Sequence, residues 1–218
     1  MVHPSDRRRW QPWWTSLIAI FLLLLGGVAC DPLPTPDQGP WEESFEDADG
    51  WQLSSDMNAD VEVAEGRLFI HIMLPGQLAW AKSQRAFKDF DLSVEATQLE
   101  GPNDNEYGIL VRMEGDDRFY AFSISGDGYV RAALFEEGTW KILGSDWSPT
   151  EAIEQGAATN LLQLKVRGSD FTFMVNGQEV LQVTDDTLDR GQVGLYAGAF
   201  DTAGVQVAFD NLQIVPAP

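Results

Sequence analysis

Five residues carry side chains whose types and placement suit binding. Tyr107, Arg112, Tyr120, Arg131 and Trp140 fall on neighbouring predicted strands. Aromatic rings stack on apolar ligand faces, and a guanidinium presents a planar fork of donors to hydroxyls and carboxylates. Together they read as a candidate sugar-binding face. Arg112 is the sharpest of the five, because it interrupts the apolar run Ile109-Leu110-Val111-Arg112-Met113, where a charge needs a reason. The competing reading is that the rings fill a core and Arg112 pairs with an acid on an adjacent strand. Trp41, Trp51 and Trp147 are read as core residues.

Other chemistries lack their parts. Beyond His3 near the N-terminus the chain has a single histidine, His71, which sits mid-strand on the face opposite Leu68, Ile70 and Ile72. A serine–histidine arrangement would depend on it entirely. A zinc site needs three or four His, Cys or carboxylate ligands, and Cys30 is the only cysteine. No glycine-rich phosphate loop or dinucleotide fingerprint occurs. Glycoside hydrolysis needs two carboxylates flanking one bond. Glu106 and Glu114 lie at opposite ends of one predicted strand, too far apart for that. No catalytic residue is assigned, and the reading favours binding over catalysis, with no cofactor required.

The elements that must position these residues repeat with a period of two. Leu68, Ile70, Ile72 and Leu74 alternate, as do Leu92, Val94 and Ala96. Tyr107, Ile109, Val111 and Met113 follow, then Tyr120, Phe122 and Ile124. Leu162, Leu164 and Val166, then Phe171, Phe173 and Val175, and finally Val205, Val207 and Phe209 complete the series. Such alternation marks half-buried strands. Asn176-Gly177 is a type I′ hairpin signal, and Gly115-Asp116-Asp117, Gly126-Asp127-Gly128 and Glu136-Glu137-Gly138 mark further turns. One helical turn is expected over 149–155, opened by Pro149 with early negative charge. The class is all-β. About a dozen strands over residues 41–218 exceed a small barrel and fit a two-sheet antiparallel β-sandwich.

An N-terminal signal and anchor segment precedes the sandwich. Arg7, Arg8 and Arg9 are followed by an apolar run from Leu17 to Ala29, too short for about 30 Å of hydrocarbon. The stretch Gly26-Gly27-Val28-Ala29-Cys30 resembles the lipobox of bacterial lipoprotein signal peptides, although Gly27 departs from the leucine usual at its position. The resemblance implies removal of residues 1–29, a lipid on Cys30, and a domain held by the membrane on its extracytoplasmic face. A single cysteine permits no internal disulfide, so the core must suffice. Residues 30–40 hold four prolines, expected as an extended spacer of roughly 30 Å. The chain has 218 residues and a net charge of −20, and loss of the leader makes it more acidic still. Nucleic acid is excluded as a partner on this ground, and mutual repulsion fits a monomer.

Further stretches carry a family likeness. They are Phe45-Glu46-Asp47-Ala48-Asp49-Gly50-Trp51, Phe90-Asp91-Leu92-Ser93-Val94-Glu95, Glu106-Tyr107-Gly108-Ile109-Leu110-Val111-Arg112, Gly191-Gln192-Val193-Gly194-Leu195 and Val207-Ala208-Phe209-Asp210-Asn211-Leu212. With Asn160 to Val166 and Val175-Asn176-Gly177 they resemble the concanavalin A-like jelly roll, laminin-G-like modules and the DUF1080 or 3-keto-disaccharide hydrolase family. That resemblance implies one concave sheet and a carbohydrate ligand. It also implies calcium at a rim, for which Asp104, Asn105 and Asp127 are the candidate ligands. The reading that results is a lipid-anchored, non-catalytic, carbohydrate-binding module. A glycoside-acting hydrolase of that family and a structural or adhesion protein are the alternatives.

Overall fold

The computed structural model describes residues 33–37 and 39–217. The leader and Cys30 lie outside the described residues. Among the described residues sixteen strands, rather than about a dozen, form two antiparallel sheets of eight. The back sheet runs in the order β14 (Gln178–Thr184), β13 (Asp170–Val175), β12 (Thr159–Arg167), β6 (Phe90–Glu100), β16 (Val205–Pro216), β4 (Arg67–Ile72) and β3 (Ala59–Ala64). Strand β1 (Trp41–Glu43) pairs with the later part of β16. The front sheet runs β10 (Thr139–Ile142), β9 (Tyr129–Glu136), β8 (Arg118–Ile124), β7 (Asn105–Met113), β15 (Gly191–Ala199), β5 (Leu78–Phe87) and β2 (Trp51–Leu53), with β11 (Ser148–Pro149) on β9.

The alternating residues of both sheets meet in one core, as the period-two pattern requires. Tyr120 and Phe122 of the front sheet contact Phe171 of the back sheet, with ring centroids 4.8 and 5.5 Å apart. The Asn176-Gly177 turn has φ of 51° and 79°, as a type I′ hairpin demands. Leu74 falls beyond the end of β4 and is exposed. The helical turn expected over 149–155 does not form. Ser148 and Pro149 pair with Val130 and Tyr129, Thr150 donates its amide to Gly128, and Gly156 donates to Gly126, so the segment is tied down as a loop. Two residues of the stretch expected as a spacer lie against the sandwich. Pro36 bridges to Ala86, the Asp37 amide donates to the Ala86 carbonyl at 2.7 Å, and Arg85 pairs with the Asp37 carboxylate at 2.6 Å. Pro36 and Asp37 are thus packed on the domain, along an edge of β5.

Arg112 explains a break in the alternation. It adopts φ of 53° in the left-handed region, and the ladder with β15 shifts register there. Two residues of β7 face one of β15 at this bulge, which re-aims the side chains that follow. Arg112 turns inward, and Met113 moves to the outer face, away from the core predicted for it. The buried guanidinium donates to three backbone carbonyls, Leu188 at 2.6 Å, Gly168 at 2.5 Å and Lys88 at 3.3 Å. It lies over Phe171 at 4.9 Å, with Asp89 at 3.5 Å. Its partners are thus mainly carbonyls of three loops, not an acid on a neighbouring strand. Burial pulls its pKa down, against the opposing pull of Tyr120 and Asp89. Arg112→Ala is expected to lower stability by about 3 kcal/mol, since it strands buried acceptors and opens a void. Urea unfolding followed by tryptophan fluorescence checks this.

Asp185 ties the two sheets at the same end. It accepts from the Tyr120 hydroxyl at 2.7 Å and from Lys141 at 2.8 Å, and Tyr120 in turn accepts from the Leu188 amide. Burial pushes the Asp185 carboxyl up, but the hydrogen bonds from Lys141, Thr187 and Tyr120 outweigh it and hold the pKa well below the usual carboxylate range. A depressed carboxylate adds stability above its unfolded pKa, and that contribution is lost as pH falls toward the folded value. The melting temperature is therefore expected to fall through and below the ordinary carboxylate range, and Asp185→Asn is expected to flatten part of that fall.

Candidate functional site

The outer face of the front sheet is built by the residues that alternate with the core. On β7 these are Glu106, Gly108 and Leu110, and on β8 they are Phe119, Ala121 and Ser123. Arg131, Ala133 and Phe135 come from β9, Gly194, Tyr196 and Gly198 from β15, and Trp80 from β5. A surface sheet would leave such residues wet, yet Leu110, Met113, Phe119, Ala121 and Tyr196 form a second buried cluster, flanked by Leu78, Trp80, Phe135 and Trp140. Phe119 packs on Phe135 and Trp140 with centroids 5.2 and 5.9 Å apart.

A polar network lies within this aromatic surround. Glu106 accepts from Arg131 at 2.7 Å and from the Tyr196 hydroxyl at 3.3 Å. Tyr196 also shares a short hydrogen bond with Ser123. The guanidinium of Arg131 lies 5.5 Å from the Trp140 ring and 4.6 Å from the Trp147 ring. Glu106 is only 5% exposed, and its burial raises its pKa more than Arg131 and Tyr196 lower it. Burial likewise pushes the Tyr196 hydroxyl well up. Gly198 leaves room for the network. A Cβ there would overlap Leu78 and stand 3.0 Å from Cγ of Glu106. The half-buried rings of Trp140 and Trp147 and the Arg131 guanidinium thus share one surface, held from beneath by the buried Glu106, Tyr196 and Ser123, and rings beside a planar donor suit a polyhydroxylated ligand.

The five residues singled out from sequence do not share this face. Arg131 and Trp140 lie on it. Tyr107 and Tyr120 point into the core, where burial pushes both phenols up to about 12. Arg112 is turned inward by its bulge and serves the loops. Trp147, assigned to the core with Trp41 and Trp51, instead stands beside Arg131 and contacts Phe200 edge to face. Glu106, Ser123, Tyr196 and Phe200 were not read as site residues. Their signal was the second alternation, Glu106-Gly108-Leu110 against Tyr107-Ile109-Val111.

The expected calcium ligands do not form one coordination set. Asn105 is fully buried, donates to the Pro102 carbonyl at 2.6 Å and accepts from the Gly126 amide at 3.1 Å, so its amide fixes two loops. Asp127 accepts from the Ser125 hydroxyl, while Asp104 is exposed at a cavity rim. Among the described residues no three His, Cys, Asp or Glu side chains converge on a point a metal could occupy. His71 is half-buried on β4, between Gln206 and Asp60.

Solved structures share the fold. A carbohydrate-binding module, CBM66, from Bacillus subtilis superposes with a TM-score of 0.61 at 17% identity, covering 75% of this chain and 93% of its own. A beta-1,3-1,4-glucanase (lichenase) from a mouse hindgut metagenome gives 0.61 at 14% identity, over 82% of this chain and all of its own. A structure described as a native glycosidic hydrolase gives 0.64 at 12% identity, over 85% and 99%. No curated protein matches the sequence. A family model matches residues 40–215, nearly the whole described domain, and the chain accordingly belongs to the 3-keto-alpha-glucoside-1,2-lyase-like domain family.

Proposed function

We infer that this protein is a glycan-binding module that uses the outer face of its front sheet. A lipid on Cys30 would hold it to the extracytoplasmic side of a membrane. One observation carries the binding reading. Arg131 is held against Trp140 and Trp147 and ion-paired to buried Glu106 on the outside of a sheet, where packing alone would favour neither a charge pair nor tryptophans. The family to which the chain belongs and the carbohydrate-binding module that shares its fold support a sugar ligand. The lipobox-like Gly26 to Cys30 stretch supports the anchor.

A second reading rests on Glu106. The family takes its name from a 3-keto-α-glucoside 1,2-lyase, an activity that breaks the C1–O bond by elimination and leaves a double bond between C1 and C2. Such an elimination takes the proton from C2, made acidic by the adjacent ketone, and expels the glycosidic oxygen from C1. A carboxylate whose pKa is raised by burial is suited to accept that proton. Release of nitrophenol from a 3-keto-α-glucoside of nitrophenol, abolished by Glu106→Gln, would replace the non-catalytic reading with this one.

On a glycan array, the full-length chain in detergent is expected to retain specific glycans, and Trp147→Ala to weaken retention about tenfold or more. Gly198→Ala should weaken it too, by displacing Leu78 and crowding Glu106. Arrays blank for the unmodified chain would refute the binding reading. For the anchor, Cys30→Ser is expected to abolish incorporation of a labelled fatty acid and to move the protein out of the membrane fraction. Unchanged labelling would contradict lipidation at Cys30.

A further inference from the structure

At one end of the front sheet lies a cavity of about 330 Å³, lined by Asp104, Ser125, Asp127, Tyr129, Trp147 and Phe200. The strand alternation that builds the outer face also builds this lining. Asp104 precedes β7, Ser125 follows β8, Tyr129 opens β9 and Phe200 follows β15, each in the outward phase of its strand. The volume is at the small end for ligand sites, which span about 300–1,000 Å³, and suits one sugar ring. A second cavity adjoins it, sharing Asp127 and Tyr129 and adding Glu151 and Gln155.

The charge of the lining is one-sided. Trp147 and Phe200 meet edge to face at 5.8 Å, and Tyr129 leaves much of its ring open to solvent. The charged side chains are Asp104 and Asp127, with Glu151 next door, and no Lys, Arg or His lines either cavity among the described residues. Arg131 reaches the Trp147 ring, but Glu106 at 2.7 Å matches its charge and leaves the cavity acids unneutralised. Ser125 directs its hydroxyl proton to Asp127 and accepts from the Tyr129 amide, so it too offers the ligand mainly acceptor capacity. Carboxylates only accept hydrogen bonds, and ring faces attract cations. A neutral hydroxylated ligand takes nothing from the unneutralised charge of Asp104 and Asp127. A ligand with an ammonium group needs what this cavity holds.

We propose that the cavity binds the ammonium of an unacetylated 2-amino sugar, so that the module selects amino sugars over their N-acetylated and neutral counterparts. This deepens the glycan-binding reading and rests on it. The net charge of −20 adds long-range attraction for a cationic polymer, which salt screens.

Titration calorimetry of the full-length chain in neutral detergent tests the proposal with three ligands: the tetrasaccharides of glucosamine, N-acetylglucosamine and glucose. The glucosamine oligomer is expected to bind about tenfold more tightly or better. The margin should shrink with added salt and as pH rises enough to discharge the amine. Asp127→Asn and Asp104→Asn should erase the margin without lowering the melting temperature. Equal affinity for the acetylated oligomer, or a margin that survives both substitutions, overturns the proposal. Binding of other glycans without the glucosamine oligomer also overturns it and leaves the glycan reading standing. Binding of none, on the array as in the calorimeter, removes both.

Discussion

A carboxylate and a guanidinium share a nearly dry position on the outside of a β-sheet, and the site depends on that pair. Glu106 and Arg131 meet at 2.7 Å with side chains 7% and 13% exposed. Removing two charges from water is costly, and mutual attraction offsets the cost only when geometry and additional hydrogen bonds are good. Tyr196 supplies one such bond, and Ser123 fixes Tyr196. The orientation of Arg131 in turn places its guanidinium against Trp140 and Trp147. Replacing such a pair by apolar residues of similar volume is often neutral or stabilising, so stability gives no reason to keep it here. A ligand that needs a planar donor, an acceptor and flanking rings does give one.

The scaffold makes that arrangement by dividing labour between the faces of the front sheet. Tyr107, Ile109, Val111, Tyr120 and Phe122 point inward and bind the sheets together. Intervening residues are released for the outer face, where glycines at 194 and 198 let neighbouring side chains approach the backbone and Gly108 lets the backbone of β8 come close. The bulge at Arg112 ends this division. Beyond it the arginine serves the loops around residues 88, 168 and 188, at the end of β7 away from the cavity. Loop positions are set at one end by carbonyls converging on one guanidinium. At the other they are set by Asn105, Gln98 and Asn160, buried side chains that bridge backbone groups.

Fold was more legible in the sequence than site, for a physical reason. Strand alternation is a local signal, and Leu92-Val94-Ala96 or Phe171-Phe173-Val175 face the core as their spacing requires. The direction of Met113 was not legible, because nothing local announces that Arg112 will adopt a positive φ. Arg112 was correctly singled out as a charge needing a reason. The reason is a set of carbonyls distant in sequence, which no spacing reveals. Trp147 was misplaced because a tryptophan in a short strandless stretch carries no phase. Only tertiary contact with Arg131 and Phe200 assigns it. Glu106 could have been found, since it shares a phase with Gly108 and Leu110 opposite the core residues. Its pairing with Arg131, two strands away, is a tertiary contact that no spacing within β7 reveals.

Tryptophan footprinting addresses the central claim, that ligand binds the outer face of the front sheet. Mild oxidation of the full-length chain, read by mass spectrometry, would be compared with and without the glucosamine, N-acetylglucosamine and glucose tetrasaccharides. Trp140 and Trp147 are half-buried on the outer face, while Trp41 is half-buried between β16 and Arg85, away from it. The account predicts that whichever oligosaccharide binds will protect Trp147 and Trp140 and leave Trp41 unchanged. Protection of Trp41 with continued oxidation of Trp147 would contradict it.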